Sequence, residues 1–189
     1  MQAIGTTRRR ALPTPREAFL LVTGICAALL GYGYYLEYAQ GLQPCPLCLV
    51  QRGFFYAVGA IALVGALHGP RRAGTILYSL LLIVFSAGGA AAAGRQVWLQ
   101  HLPPEKVPAC GPDLLFMLEN FPLADTVQRL IKGTGECAAV DWTFLGLSIA
   151  EWSLGWFLAF GAYALWLIFR NPGSEPELDH FPQVDGKYR

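Results

Sequence analysis

Residues 73–94 read AGTILYSLLLIVFSAGGAAAAG, a run without one Asp, Glu, Lys or Arg. An α-helix over such a run is long enough for the hydrocarbon core of a bilayer, which needs roughly 20 apolar residues at about 1.5 Å rise each. Three further stretches read the same way. Ala18 to Leu36 is uncharged, Cys48 to Leu67 holds only Arg52, and Trp142 to Phe169 holds only Glu151, near its start. A small soluble helical bundle is the competing reading. It fails for want of polar surface. Of 189 residues 54% are hydrophobic and 14% charged, too few polar side chains to cover four buried helices. The net charge of +1 supplies no bulk basic patch for nucleic acid.

The expected fold class is therefore an all-α membrane protein, a four-helix transmembrane bundle. Its spans fall at about 18–36, 48–67, 73–94 and 144–169 within a domain of 18–169. The first stretch runs on into Tyr34, Tyr35 and Glu37 without a small-residue cleavage pattern, so it reads as a retained anchor. Basic residues set the orientation. Arg8, Arg9, Arg10 and Arg16 lie in the arm 1–17, Arg71 and Arg72 in the short link, and Arg170, Lys187 and Arg189 in the tail 170–189. These three segments are expected on the cytoplasmic side, and the tail, whose stretch Glu175–Arg189 is polar with two prolines, is expected to be disordered. The loops at about 37–47 and 95–143 then face the opposite, periplasmic side. In the longer one, Asp113–Phe121 and Asp125–Lys132 space their apolar residues to suit short amphipathic helices at the membrane surface, between breaks at prolines such as Pro112 and Pro122.

Four of the five cysteines share that second side. Cys45 and Cys48 form Cys-Pro-Leu-Cys at the start of the second span. Cys110 and Cys137 lie in the long loop, and Cys26 lies within the first span. Two structural disulfides would suit Cys110 and Cys137, but a loop as short as Cys45–Cys48 gains little entropic stabilisation. A four-thiolate zinc site finds ligand-like spacing in one pair only, and an oxidising compartment disfavours it. A relay of two redox-active pairs accounts for the two-residue spacer, the second pair and their common side. Cys26 reads as a small buried apolar residue.

Arg52 lies one turn beyond Cys48 on the same helical face. An arginine within a span is costly. It reads as a stabiliser of a Cys48 thiolate, aided by the helix N-terminus, or as a side chain snorkelling to the interface. With no haem, flavin or metal motif visible, elimination favours a lipid-soluble two-electron acceptor such as a quinone. Gln96 and His101, just past the third apolar run, offer polar contacts at that interface, although a lone interfacial histidine is more often only a solvated residue.

The chain resembles the DsbB family of quinone-dependent, disulfide-generating membrane proteins. The resemblance is carried by Gln43-Pro44-Cys45-Pro46-Leu47-Cys48 with Arg52, by Gln96 to His101 ahead of Cys110, and by Gly135-Glu136-Cys137, Asp141-Trp142 and Phe144-Leu145-Gly146-Leu147. It implies an enzyme of the bacterial inner membrane whose catalytic cysteines are Cys45, Cys48, Cys110 and Cys137. By the resemblance, Cys45 and Cys48 pass electrons to ubiquinone, with menaquinone an alternative. Cys110 and Cys137 oxidise DsbA, a periplasmic thioredoxin-fold dithiol protein. Arg52, His101 and Gln96 are the positions expected at the quinone. Some family relatives serve a dedicated partner other than DsbA, and the vitamin K epoxide reductase group places its Cys-x-x-Cys after the loop pair, where here it comes first. A membrane scaffold with two static disulfides, and a small transporter lined by Arg52, are the readings from other functional classes.

Overall fold

Four helices long and apolar enough to span a bilayer organise the computed structural model, which describes residues 13–108, 116, 119–122, 125, 133, 135–140 and 142–170. They are α1 (Pro15–Gln40), α2 (Pro46–His68), α3 (Arg72–Gln100) and α4 (Ile149–Phe169). Cys110, the arm before residue 13, the tail after residue 170 and most of both segments expected as amphipathic helices lie outside the described residues.

Three of the four helices start where the sequence supplies a side-chain cap, and α3 starts after Arg71 without one. Thr14 and Glu17 form a capping box before α1 with Pro15 in its first turn, and Gly41 ends it in the left-handed region at φ 71°. Ser148 and Glu151 form the same box before α4, which accounts for the one acidic residue in that span. Whereas α4 starts at Ile149 rather than at the expected 144, because the residues before it fold into a hairpin, α1, α2 and α3 outrun the apolar runs that mark the bilayer crossings. In particular α3 continues through Arg95 to Gln100, because nothing there breaks a helix, and so places Gln96 on a helix rather than in a loop.

Neighbours in sequence pack side by side: α1 on α2, α2 on α3, and α3 on α4. Between helices in a bilayer the driving force is close van der Waals fit, because lipid tails are as apolar as the side chains. Small residues provide that fit. Gly65 lies flat against the Phe19 ring, where an added Cβ would come within 3.2 Å, and Gly59 faces the Cys26 Cβ at the same 3.2 Å spacing. Cys26, 1% exposed, is thus a small core residue. Gly89 backs onto the Phe157 ring. Phe157 stacks on Phe55 with ring centroids 4.2 Å apart, a pairing worth about 0.5–1.5 kcal/mol beyond its contact area.

Ahead of α4, Thr143 pairs with Ser148 and Phe144 with Leu147 in a two-residue hairpin, β1 (Thr143–Phe144) and β2 (Leu147–Ser148). Leu145 and Gly146 turn it at φ 54° and 80°, the paired positive values that match strand twist. Trp152 Nε1 donates to the Phe144 carbonyl at 3.1 Å, and Ser148 Oγ donates to Gln100 Oε1 at 2.8 Å. The hairpin is therefore tied both to α4 and to the end of α3.

Candidate active site

The Cys-Pro-Leu-Cys stretch is the first turn of α2. Cys45 is the N-cap, Pro46 supplies the fixed φ of the first helical position, and Cys48 falls at the third. That geometry turns both side chains to the same spot. Cys48 N donates to Cys45 Sγ at 3.4 Å, and Cys45 Sγ donates to Cys48 Sγ at 2.9 Å. The two stand as neighbouring thiols, nearer than ordinary contact and farther than the roughly 2.05 Å of a disulfide.

A third sulfur joins them. Cys137 sits in a short 3-10 turn, Gly135–Ala138, fully buried in a cluster with Leu47 and Leu99 against which Cys45 packs. Gly133 enters this turn at φ 75° close against the Leu99 side chain, a place and a conformation that suit glycine alone. Hydrogen bonding with Cys137, then with Cys48, and then burial push the Cys45 thiol well above its ordinary range.

Gln96 reaches the same corner from α3. Its Nε2 donates to Cys48 Sγ at 3.3 Å and to Cys45 Sγ at 3.4 Å, while its Oε1 accepts from Gln51 Nε2 at 2.6 Å. Arg52 stands one turn below Cys48. Its Nη1 is ion-paired with Glu37, its Nη2 donates to the Gly33 carbonyl at 3.2 Å, and the guanidinium lies over the Tyr34 ring at 4.8 Å. The arginine faces α1, and its charge is already matched.

These groups border a cavity of about 470 Å³, which Cys45, Cys48, Gln51, Arg52, Gln96 and Glu37 line on the polar side. Apolar side chains complete the wall, among them Leu29 and Leu36 of α1, Phe55 of α2 and Trp152 and Trp156 of α4, with Trp142 from the segment before the hairpin. The volume is that of a site for a medium-sized, largely apolar ligand. His101 is not among the lining residues. It caps α3, is exposed, and donates from Nδ1 to the Val97 carbonyl at 2.8 Å. The structure thus brings Cys45, Cys48, Cys137, Arg52 and Gln96 together and leaves His101 at the rim.

Sequence reasoning did not single out Glu37 or Gln51. Gln51 had a local signal, a polar amide one turn inside an apolar run and three residues after Cys48. Glu37 had none, since its partner lies 15 residues away on another helix.

Comparison with known proteins follows the same line. A family model described as "Disulfide bond formation protein DsbB" matches residues 15–167. The chain is similar to Disulfide bond formation protein B of Azoarcus sp. (strain BH72), 52% identical over 84% of this chain and 96% of that one. The protein of the same name from Methylococcus capsulatus is 51% identical over 82% and 94%. Disulfide bond formation protein B 1 of Pseudomonas aeruginosa is 46% identical over 80% and 91%.

Proposed function

The chain belongs to the DsbB family of disulfide bond formation proteins, and from that premise we propose that Cys45, Cys48, Cys110 and Cys137 form a thiol relay between a soluble dithiol protein and a membrane quinone. The protein is a multi-pass membrane oxidoreductase that generates disulfides, and the family implies a quinone acceptor and a DsbA partner. The proposal concerns which residues act, on which side and with which quinone. Ubiquinone is the acceptor. Both termini face the cytoplasm, in keeping with the basic arm, link and tail, and the cysteines face the periplasm.

The observation that carries the relay is that Cys137 packs beside Cys45, while Cys45 itself lines the cavity together with Cys48, Arg52 and Gln96. A bound quinone would supply a two-electron, two-proton acceptor. The cavity suits such a group in size and in its apolar walls. The rest is done by sulfur. A thiolate of the partner attacks Cys110 of the Cys110–Cys137 disulfide, and the electron pair leaves on Cys137. Cys137 then attacks Cys45 of the Cys45–Cys48 disulfide, and Cys48 leaves as the thiolate. The partner's second thiol displaces Cys110 from the mixed disulfide, Cys110 attacks Cys137 of the Cys45–Cys137 bond to reform the loop disulfide, and Cys45 leaves to stand with Cys48 as a dithiol, which gives up two electrons and two protons to become a disulfide again. Arg52 and Gln96, which line the cavity beside Cys48, would hold the polar end of the acceptor, and His101, outside the lining, would act only from beyond it.

The test uses the full chain in lipid nanodiscs with ubiquinone or menaquinone and a reduced thioredoxin-fold dithiol protein. Quinone absorbance and thiol-alkylation mass shifts are followed together. Cys110→Ala is expected to abolish oxidation of the partner while the Cys45/Cys48 dithiol still reduces quinone. Loss of both reactions in a folded Cys110→Ala protein overturns the division of labour. Cysteines that stay oxidised and inert throughout overturn the relay itself.

A further inference from the structure

Gln51 and Gln96 are amides almost wholly enclosed, 3% and 4% exposed, on helices that cross a bilayer. Buried amides in such a place need partners. Gln96 Oε1 is taken by Gln51 Nε2 at 2.6 Å, which leaves Gln96 Nε2 turned to the sulfurs, 3.3 Å from Cys48 and 3.4 Å from Cys45. The Cys48 thiol also donates to Gln96 Oε1, at 3.6 Å, so the oxygen meets the protonated sulfur while Nε2 lies closer, placed to donate to a thiolate. Arg52, the cation that the sequence offers as the stabiliser of a thiolate, has its guanidinium on Glu37, the Gly33 carbonyl and the Tyr34 ring.

We propose that the Gln96 side-chain amide is the catalytic hydrogen-bond donor that stabilises the Cys48 thiolate, and that Gln51 is the positioning residue that fixes which end of that amide faces the sulfur. The inference deepens the relay described above and rests on Cys45 and Cys48 being its membrane pair. When Cys137 attacks Cys45, the Cys45–Cys137 bond forms, the Cys45–Cys48 bond breaks, and the electron pair departs on Cys48. That charge then appears facing an N–H already in place. A neutral amide supplies this without a second ion in an apolar wall, where an uncompensated charge would be costly. Orientation is decisive, because the same side chain turned end for end presents a carbonyl oxygen to the thiolate and repels it. The grip of Gln51 on Oε1 blocks that turn.

The experiment reads the thiol directly and needs no quinone. The full chain, quinone-depleted and reduced in nanodiscs, is pulsed with iodoacetamide across a pH series, and Cys48 is followed by peptide mass. The native protein is expected to show a Cys48 midpoint below the ordinary thiol value of about 8.5. Gln96→Leu is expected to raise that midpoint by about one pH unit, slowing alkylation at neutral pH about tenfold, as loss of a charge-assisted hydrogen bond does. Gln51→Leu, which keeps the donor but frees it to turn, is expected to slow alkylation about threefold. A native midpoint at or above the ordinary value overturns the inference, and so does a folded Gln51→Leu or Gln96→Leu protein whose profile matches the native one. Should either variant fail to fold, the other variant and the native profile decide. The two readings also separate. A shifted profile in a protein that does not reduce quinone sinks the relay and keeps the amide's role, whereas an unshifted profile in a protein that turns over quinone does the reverse.

Discussion

In the middle of the bundle Phe55 stacks on Phe157 at 4.2 Å and meets Phe160 edge-on at 6.4 Å, while Gly89 leaves the Phe157 ring the space a side chain would have taken. One turn nearer Cys45 the same helices surround a cavity of about 470 Å³, and Phe55 lines that as well. The middle is held by shape, with glycines and alanines set against aromatic rings. The Cys45 end is held by polar partners instead: Gln51 with Gln96, Arg52 with Glu37, and Ser148 with Gln100. In a bilayer both devices are stabilising. Close packing gains dispersion energy, and pairing avoids the cost of a bare polar group in hydrocarbon. Only the second leaves open space beside reactive sulfur. A substitution in the middle should therefore act on stability, and one at the Cys45 end should act on chemistry.

The sharpest break of that contrast is Cys48→Ala. Without the second sulfur Cys45 cannot close a disulfide at the cavity, so disulfide generation with quinone should fall by at least about a thousandfold. Cys48 is only partly buried, so its melting temperature should hardly move. Quinone-reduction rates and a thermal melt on one preparation measure both. A large loss of stability would mean that the site end also depends on packing.

Gly89→Val tests the other region. Its added Cβ collides with the Phe157 ring, which is already stacked on Phe55. Over-packing of this kind costs about 3 kcal/mol, at the upper end of the usual range. Turnover per folded molecule should stay within about twofold. Retained stability with lost turnover would show that the middle takes part in the chemistry.

How much of this was legible in the sequence follows from the range of each interaction. The charge-free run at 73–94 and its three counterparts set out the spans, because crossing a bilayer is a local property of about 20 residues. The short spacing of Cys45 and Cys48 was local too, and became the N-cap and third position of α2. Glu151 looked like an odd charge in a span and proved to be half of a capping box with Ser148, a pattern three residues wide. What stayed hidden was long-range. The pairing of Glu37 with Arg52 spans 15 residues and that of Gln51 with Gln96 spans 45, and neither leaves a periodic trace. Gln96 looked like a loop residue because an apolar-run criterion stops at Arg95, whereas α3 does not.

The smallest effect expected is also the one that best separates charge from shape at the Cys45 end. Glu37 and Arg52 keep 21% and 17% of their side-chain surface exposed, between the limits of an open ion pair and an enclosed one. Fully exposed pairs contribute about 0–1 kcal/mol, and stranding one partner of a buried pair costs about 3–5 kcal/mol. Glu37→Gln keeps an oxygen for Arg52 Nη1 and removes only the matching charge, so the stability loss should sit near the low side, about 1 kcal/mol. The hold of the Gly33 carbonyl and the Tyr34 ring on the guanidinium remains, so Arg52 should stay at the cavity wall. Its charge would then be unmatched beside the polar end of the cavity. KM for quinone should change about two- to threefold while kcat stays level, and Glu37→Asp should restore the native KM if its shorter carboxylate still reaches Nη1. Arg52→Met, which removes the cation altogether, should weaken quinone turnover more than either. A fall in kcat in Glu37→Gln with KM unchanged would instead place Glu37 in the proton or electron steps and make it more than the counter-ion of Arg52.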